Sequence, residues 1–304
     1  MAAGQGTLSL ITNENGGIKD DCVITNAADH GPYLYVVSNA GCDKKDIAHF
    51  QKHLDMFRVR GGDVSMELLL GRGLLALQGP LASKVLQGLA NGDAEKTKIA
   101  QLRFMHGCTM PLASIPNCRV TRCGYTGEDG YEISVESNHT QKLALELLKS
   151  PEVKLAGLAA RDALRLESGL CLYGNDIDEN TSPVEASLRW TIGKRRKTEG
   201  GFLGASTILR QLKDGVGRHR VGLTIAKGGA PARAGAEIYD ETGKLRIGKV
   251  TSGMPSPYTG KYIAMAYIES PHHKVNTNIK VSVRNRMQDA VVTKMPFVPH
   301  HYFK

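Results

Sequence analysis

The chain has 304 residues, 41% hydrophobic and 23% charged, with a formal net charge of +9 at pH 7, which fits about two globular domains able to bury their own cores. No apolar run approaches the roughly 18 residues of a membrane-spanning helix, and Met1–Gly6 shows neither a secretory signal nor an Arg-rich amphipathic presequence. The six cysteines are dilute and form no C-x-x-C, which argues against a disulfide framework and against a zinc site of paired thiolates.

In chain order, Gln5–Thr12 and Ile18–Asn26 alternate like strands around the turn Asn13-Glu14-Asn15-Gly16-Gly17, and Tyr33–Ser38 is a third β-rich run. Asp43–Leu54 has helical spacing, with Ile47, Phe50 and Leu54 on one stripe and Asp43 placed as a cap. Leu74–Gln78 reads as a short buried strand and Leu81–Leu89 as a helix. Cys118–Cys123 and Tyr131–Val135 read as strands flanking a glycine-rich loop, followed by helices over Gln141–Lys149 and Leu155–Leu170. Beyond Gly200 come six short runs: Val221–Ile225, Ala236–Tyr239, Ile247–Ser252, Tyr262–Ile268, Ile279–Val283 and Ala290–Lys294. Their length and spacing predict a small barrel or sandwich. The fold class is α+β, with a boundary near Gly200-Gly201.

The positive charge is concentrated. Between Ala186 and Arg233 stand eleven Lys and Arg against Glu199 and Asp214, which accounts for the whole surplus. Such a field attracts an acidic protein, a polyanionic small molecule, an anionic membrane or nucleic acid, or is a solvated face. Aromatics make up only 6% and form no stacking array, so nucleic acid is the weakest of these.

Five further features could carry chemistry. Asp20 and Asp21 are adjacent on a strand, so their side chains point to opposite faces and only one serves a given site. The loop Gly124–Gly130 has three glycines in seven residues and could let a ligand approach the backbone, or be a plain hairpin loop; it is not a P-loop. Glu132 could accept two hydrogen bonds from an amidine-like edge, as in a pterin or purine, or be an exposed strand residue. Arg161, in an apolar helix, calls for an internal carboxylate or a ligand oxygen. Trp190, the single tryptophan, is either core or a stacking platform.

Taken in order from Gln5 onward, Gly16–Asp21, Tyr35–Gly41, Leu75–Pro80, Arg119–Gly130 with Glu132–Val135, Val153–Asp162, Leu172–Glu179, Pro183-Val184-Glu185, Val250–Gly253 and Lys294–Val298 resemble the T-protein (aminomethyltransferase) family of the glycine cleavage system, animal mitochondrial members above all. The resemblance implies a multi-lobed folate-binding fold with a C-terminal β-barrel-like domain, residues 1–205 forming the folate-binding region and 206–304 the barrel. It implies transfer of a methylene group from the aminomethyl-lipoyl arm of the H-protein to tetrahydrofolate, giving 5,10-methylenetetrahydrofolate and ammonia in the mitochondrial matrix. The H-protein is the implied direct partner and the P- and L-proteins indirect ones, with no metal, nucleic acid or membrane. Asp21 falls on the family's acidic catalytic residue, Glu132 on the carboxylate that grips the pterin edge, and Arg161 on the arginine beside the folate. Tyr125, Val37, Asn39, Trp190, Arg220 and Tyr302 fall on other channel-lining positions, with Arg220 as the cation for the glutamate tail. Family members carry a segment ahead of the Gln5 position that adds strands and folate contacts; Met1-Ala2-Ala3-Gly4 stands there instead, so a shortened form is expected. The alternatives are a weakly active or inactive form that binds folate or H-protein, and a folate-binding assembly-factor relative.

Overall fold

The computed structural model describes residues 1–27, 31–226 and 229–304. Three sheets organise it, and no described helix is long and apolar enough to cross a membrane. The first is antiparallel: β1 (Gly6–Thr12), β2 (Ile18–Asn26) and β3 (Leu34–Ser38). Asn13 makes its first turn, its side-chain oxygen accepting from the N–H groups of Asn15 at 3.0 Å and Gly17 at 2.9 Å. Only glycine fits at position 17, where a Cβ would lie 1.7 Å from the Glu179 carbonyl oxygen. A 3-10 turn at Ala40–Cys42 leads into α1 (Asp43–Val59). Cys42, not Asp43, is the residue ahead of the first helical turn, and no side chain caps it. The helix runs further than its apolar stripe predicts, and its one buried residue is an acid, Asp46.

The second sheet has the order β4-β7-β6-β5: β4 (Arg72–Gln78), β5 (His106–Leu112), β6 (Ile115–Arg122) and β7 (Gly130–Glu136). Helices α2 (Ala82–Gly88), α3 (Asp93–Gln101) and α4 (Ser137–Leu148) help to close its core, in which Leu77, Leu86, Ile99, Ile133 and Leu143 meet. β4 is buried on one face only: Leu77 is inside, Leu74 exposed. The helix expected over Leu155–Leu170 is the shorter α5 (Leu158–Glu167). Its leucines do not share one buried face: Leu158 is 84% exposed, and the buried residues are Ala163, Arg165, Leu166 and Glu167.

A 3-10 turn at Arg189–Thr191, α6 (Lys194–Glu199) and α7 (Ala205–Asp214) lead to the barrel. The expected division at 205/206 falls at the start of α7, whose Thr207 and Ile208 pack against Gly16 of the first hairpin turn. All six strands expected beyond Gly200 are present: β8 (Arg218–Ile225), β9 (Glu237–Tyr239), β10 (Arg246–Pro255), β11 (Tyr262–Glu269), β12 (Asn278–Val283) and β13 (Arg286–Thr293). They close in the order β10-β11-β8-β13-β12-β9 around Leu223, Ile225, Ala264, Ala266, Val281 and Val292. Closure removes exposed strand edges. The outer face of β11 is buried too, because Ile263 and Met265 pack against Leu166 of α5.

Candidate active site

Alternation along β2 sets the site. Val23 and Thr25 share the face of Asp21, and Val23 pairs with Val37 and Thr25 with Tyr35 on β3. Those four residues line a cleft whose opposite wall is the second sheet, contributing Thr121, Cys123 and Glu132. Asp21 is the next cleft-facing residue along β2. Asp20, on the other face, is fully buried. The two carboxylates are nonetheless linked, contrary to the expectation of independence. Asn39, just past β3, donates from Nδ2 to Asp20 Oδ1 at 2.9 Å and to Asp21 Oδ1 at 3.0 Å. Its backbone N–H also reaches Asp20 Oδ2 at 3.2 Å. Burial, then the negative charge of Asp20, pushes the Asp21 carboxyl up to about 6, while Asn39 opposes the shift.

Tyr125, from the glycine-rich loop, is held by a hydrogen bond from its hydroxyl to the Cys171 carbonyl oxygen. Burial raises its phenol, and Asp21 is among the charges acting on it. Arg161 stacks its guanidinium 4.7 Å from the Tyr125 ring centre and forms no ion pair among the described residues. Its charge reaches Glu132, where it and the Cys123 thiol oppose the upward push of burial on the carboxyl. Asp21, Asn39, Val37, Tyr125, Arg161 and Glu132 therefore form one neighbourhood.

The remaining expected residues lie differently. Tyr302 stacks on Phe104 with ring centres 4.0 Å apart. It belongs to a tail that returns from the barrel to the glycine loop: His301 N–H donates to the Gly127 carbonyl oxygen at 2.8 Å, and the Phe303 carbonyl oxygen accepts from Phe104 N–H at 2.8 Å. Arg122 sits 3.9 Å from the Phe303 ring centre. Trp190 is 62% exposed on its 3-10 turn, so it is not core. Arg220 departs most from expectation. It is buried in β8 and donates to the carbonyl oxygens of Ala186 at 2.7 Å and Gly169 at 3.2 Å. A side chain so placed knits the barrel to residues 169–186 and is no solvent-facing cation for a glutamate tail.

The sequence reading passed over Arg165. The internal carboxylate sought for Arg161 belongs to this residue, one helical turn further on. Arg165 donates to Asp176 at 2.5 Å, to Asp162 at 2.7 Å and to Ser252 Oγ of β10 at 2.9 Å. Asp176 is itself buried and accepts further from Leu172 N–H at 2.9 Å and Thr251 Oγ1 at 2.5 Å. The pair ties α5, the segment after it and the barrel together directly behind Tyr125.

The GCVT N-terminal domain matches residues 1–196, and the glycine cleavage T-protein C-terminal barrel domain matches residues 218–299. The chain belongs to the glycine cleavage T-protein family. Relatives agree. It is 54% identical over 299 residues to the mitochondrial aminomethyltransferase of Canis lupus familiaris, covering 98% of this chain and 72% of that protein. Against the mitochondrial aminomethyltransferase of Pisum sativum it is 50% identical over 306 residues, covering 100% of this chain and 72% of the relative. The solved structure of glycine cleavage system aminomethyltransferase T from Bartonella henselae superposes with a TM-score of 0.86 at 38% identity, over 100% of this chain and 79% of that one. This T-protein family member is an aminomethyltransferase of the glycine cleavage system, which the comparisons favour over an assembly-factor relative.

Proposed function

We propose that this aminomethyltransferase takes the aminomethyl group from the lipoyl arm of the H-protein and delivers its methylene to tetrahydrofolate as co-substrate, in the mitochondrial matrix. The two folate N–H hydrogens end on the leaving ammonia and on the lipoyl thiol, and the carbon ends between the two nitrogens. The observation that carries the reading is a cleft between the first two sheets, lined by Val23, Val37 and Glu132, with Asp21 next to Val23 on the same face of β2 and the Tyr125–Arg161 stack in the charge neighbourhood of both carboxyl groups. Glu132 accepts a pair of hydrogen bonds from the amidine-like edge of the pterin. That orients the reacting nitrogens toward Asp21, whose negative charge holds the nucleophile in register and stabilises positive charge developing there. Val37 and Asn39 line the wall around Asp21, and Trp190 and Tyr302 border the channel further out.

Turnover tests the reading. The purified chain, given aminomethyl-lipoyl H-protein and tetrahydrofolate, is expected to form ammonia and methylenetetrahydrofolate in equal amounts. Absence of either product overturns it. Without the carrier, tetrahydrofolate at about 100 times its Kd is expected to stabilise the fold by about 2.7 kcal/mol. Glu132→Gln removes a charged acceptor and is expected to raise that Kd by roughly 10- to 100-fold, matching about 1.5–3 kcal/mol for a hydrogen bond to a charged group. An unchanged Kd rules Glu132 out as the pterin anchor.

The acidic carrier is proposed to dock on α6. Of the basic segment, Arg218 is paired with Glu185 at 2.8 Å, Arg220 is buried, and Lys227 lies outside the described residues. Arg196 holds the Gly200 and Gly201 carbonyl oxygens at 3.1 and 2.9 Å. Lys194, Arg195 and Lys197 are exposed together on α6, with Arg195 3.2 Å from Glu199, while the exposed Arg189, Arg210, Lys213 and Arg233 are spread over other segments. Replacing these three by alanine is expected to raise KM for the carrier roughly 3- to 10-fold at low ionic strength, with kcat unchanged and the difference shrinking as salt screens it. A KM equal to wild type at low salt moves the docking surface elsewhere.

A further inference from the structure

Behind the cleft, on the opposite face of β2, a second carboxyl group meets Asp20. Asp46 lies in the first turn of α1 and is 2% exposed. Neither of its oxygens has a partner at full hydrogen-bond geometry among the described residues, and the polar side chains nearest to them are the Asp20 carboxyl and the Ser38 hydroxyl. The groups facing it are Asp20 of β2, Ser38 of β3 and Lys45 of its own helix. Cys22 of β2 and Cys42 at the start of α1 also feel it, and Asp21 lies just beyond Asp20. Lys45 does not neutralise it. That ammonium donates to the Tyr173 hydroxyl at 2.7 Å and to the Lys19 carbonyl oxygen, and lies 3.7 Å from Glu179.

Asp20 is provided for in the opposite way. It accepts from the backbone and the side-chain amide of Asn39, and that same amide turns its other hydrogen to Asp21. Two carboxyl groups in contact and out of water cannot both be ionised. The one with donors bears charge at least cost, and the one without them keeps the proton.

We infer that Asp46 is held as the neutral acid and donates its carboxyl hydrogen to Asp20, so that Asp20 stays ionised, fixes Asn39 and thereby aims the carboxylate of Asp21. Asp46 is thus a positioning residue, and its effect on turnover rests on the reading of Asp21 as the catalytic carboxylate. The electrostatics agree. Burial and Asp20 push Asp46 above the ordinary carboxylate range, with Lys45 and the Ser38 hydroxyl opposing.

Two measurements test this, and the first does not involve turnover. The infrared spectrum of wild type minus Asp46→Asn, at about pH 6.5, below the value of about 7 to which burial and Asp20 push the Asp46 carboxyl, is expected to show the C=O band of one un-ionised carboxyl. Absence of that band overturns the inference. The second compares pH profiles. Asp46→Asn keeps an N–H for Asp20, so kcat/KM is expected within about 3-fold of wild type and its acid limb in place. Asp46→Leu supplies no hydrogen. Asp20 then loses one of its donors, and its hold on Asn39, and through it on Asp21, loosens. The expected result is a fall in kcat of about 10-fold or more with KM for folate little changed, because Asp21 is no longer aimed. Equal kcat in the two variants, or a limb in Asp46→Asn displaced by about one pH unit, overturns the inference. Should Asp21→Asn itself keep full activity, the reading of Asp21 fails, while the infrared band still decides the state of Asp46.

Discussion

Asp21→Asn is expected to lower kcat about 10²- to 10³-fold, as removal of a charge aimed at a developing charge does elsewhere, while leaving KM for folate within a few-fold. The replacement is nearly isosteric, and its amide oxygen still accepts from Asn39, so the loss reports charge and not shape. Wild-type kcat/KM is expected to fall below an acid limb centred near pH 6, where burial and Asp20 have moved the carboxyl. The same shift has a cost in stability. An acid whose folded value exceeds its unfolded value of about 3.8 penalises the fold only when ionised. The penalty is absent below pH 4, grows between pH 4 and 6, and is complete above 6. Asp21→Asn is therefore expected to be more stable than wild type at pH 7.5 by up to about 2–3 kcal/mol, and equal to it at pH 3.5. Calorimetry at the two pH values, beside single-turnover kinetics, checks both halves. A variant that keeps its rate, or one less stable at pH 7.5, removes Asp21 from the role given to it.

The second large effect lies in the buried pair behind the site. Arg165→Met leaves Asp176 ionised, fully buried and without its cation. Stripping one partner from such a pair costs about 3–5 kcal/mol. In a chain of this size that corresponds to a fall in Tm of roughly 10 °C. Adding Asp176→Asn removes the stranded charge and is expected to recover most of the loss. Because Arg165 also reaches Ser252 on β10, the single variant is expected to loosen the barrel from α5, so that unfolding splits into two transitions. A loss under about 1 kcal/mol, with one transition kept, shows that the remaining contacts of α5 suffice.

The barrel was the most legible part of the sequence. Its strands are short alternating runs between turn residues, and β11 reads as unbroken apolar sequence because both its faces are buried. α3 and β5 were not legible. α3 buries only Ile99, so it carries almost no stripe, and β5 contains Gly107 and Pro111. Within the site, alternation correctly sent Asp20 and Asp21 to opposite faces. What joins them is one amide from the end of the neighbouring strand, and strand pairing is not written in local pattern. Arg161 and Arg165 lie one turn apart on the same helical face. Which of them is sealed in depends on where the barrel docks, a tertiary fact. Arg220 was misread for the same reason: a cluster of positive charge looks like one surface until the fold sends one member inward to carbonyl oxygens.

The tail bears on how the enzyme is made. A ribosome releases residues in order, so Asp21, Glu132 and Arg161 can each reach their sheet or helix before the barrel exists. The loop that carries Tyr125 cannot be clamped so early, because His301 and the Phe303 backbone, which fasten it and the neighbouring Phe104, emerge after all the elements they hold. A nascent chain thus contains Asp21, Tyr125, Glu132 and Arg161 well before it contains the pocket. Competence arrives with residues 301–303, and synthesis that stops short of them yields a folded body with an unfastened loop.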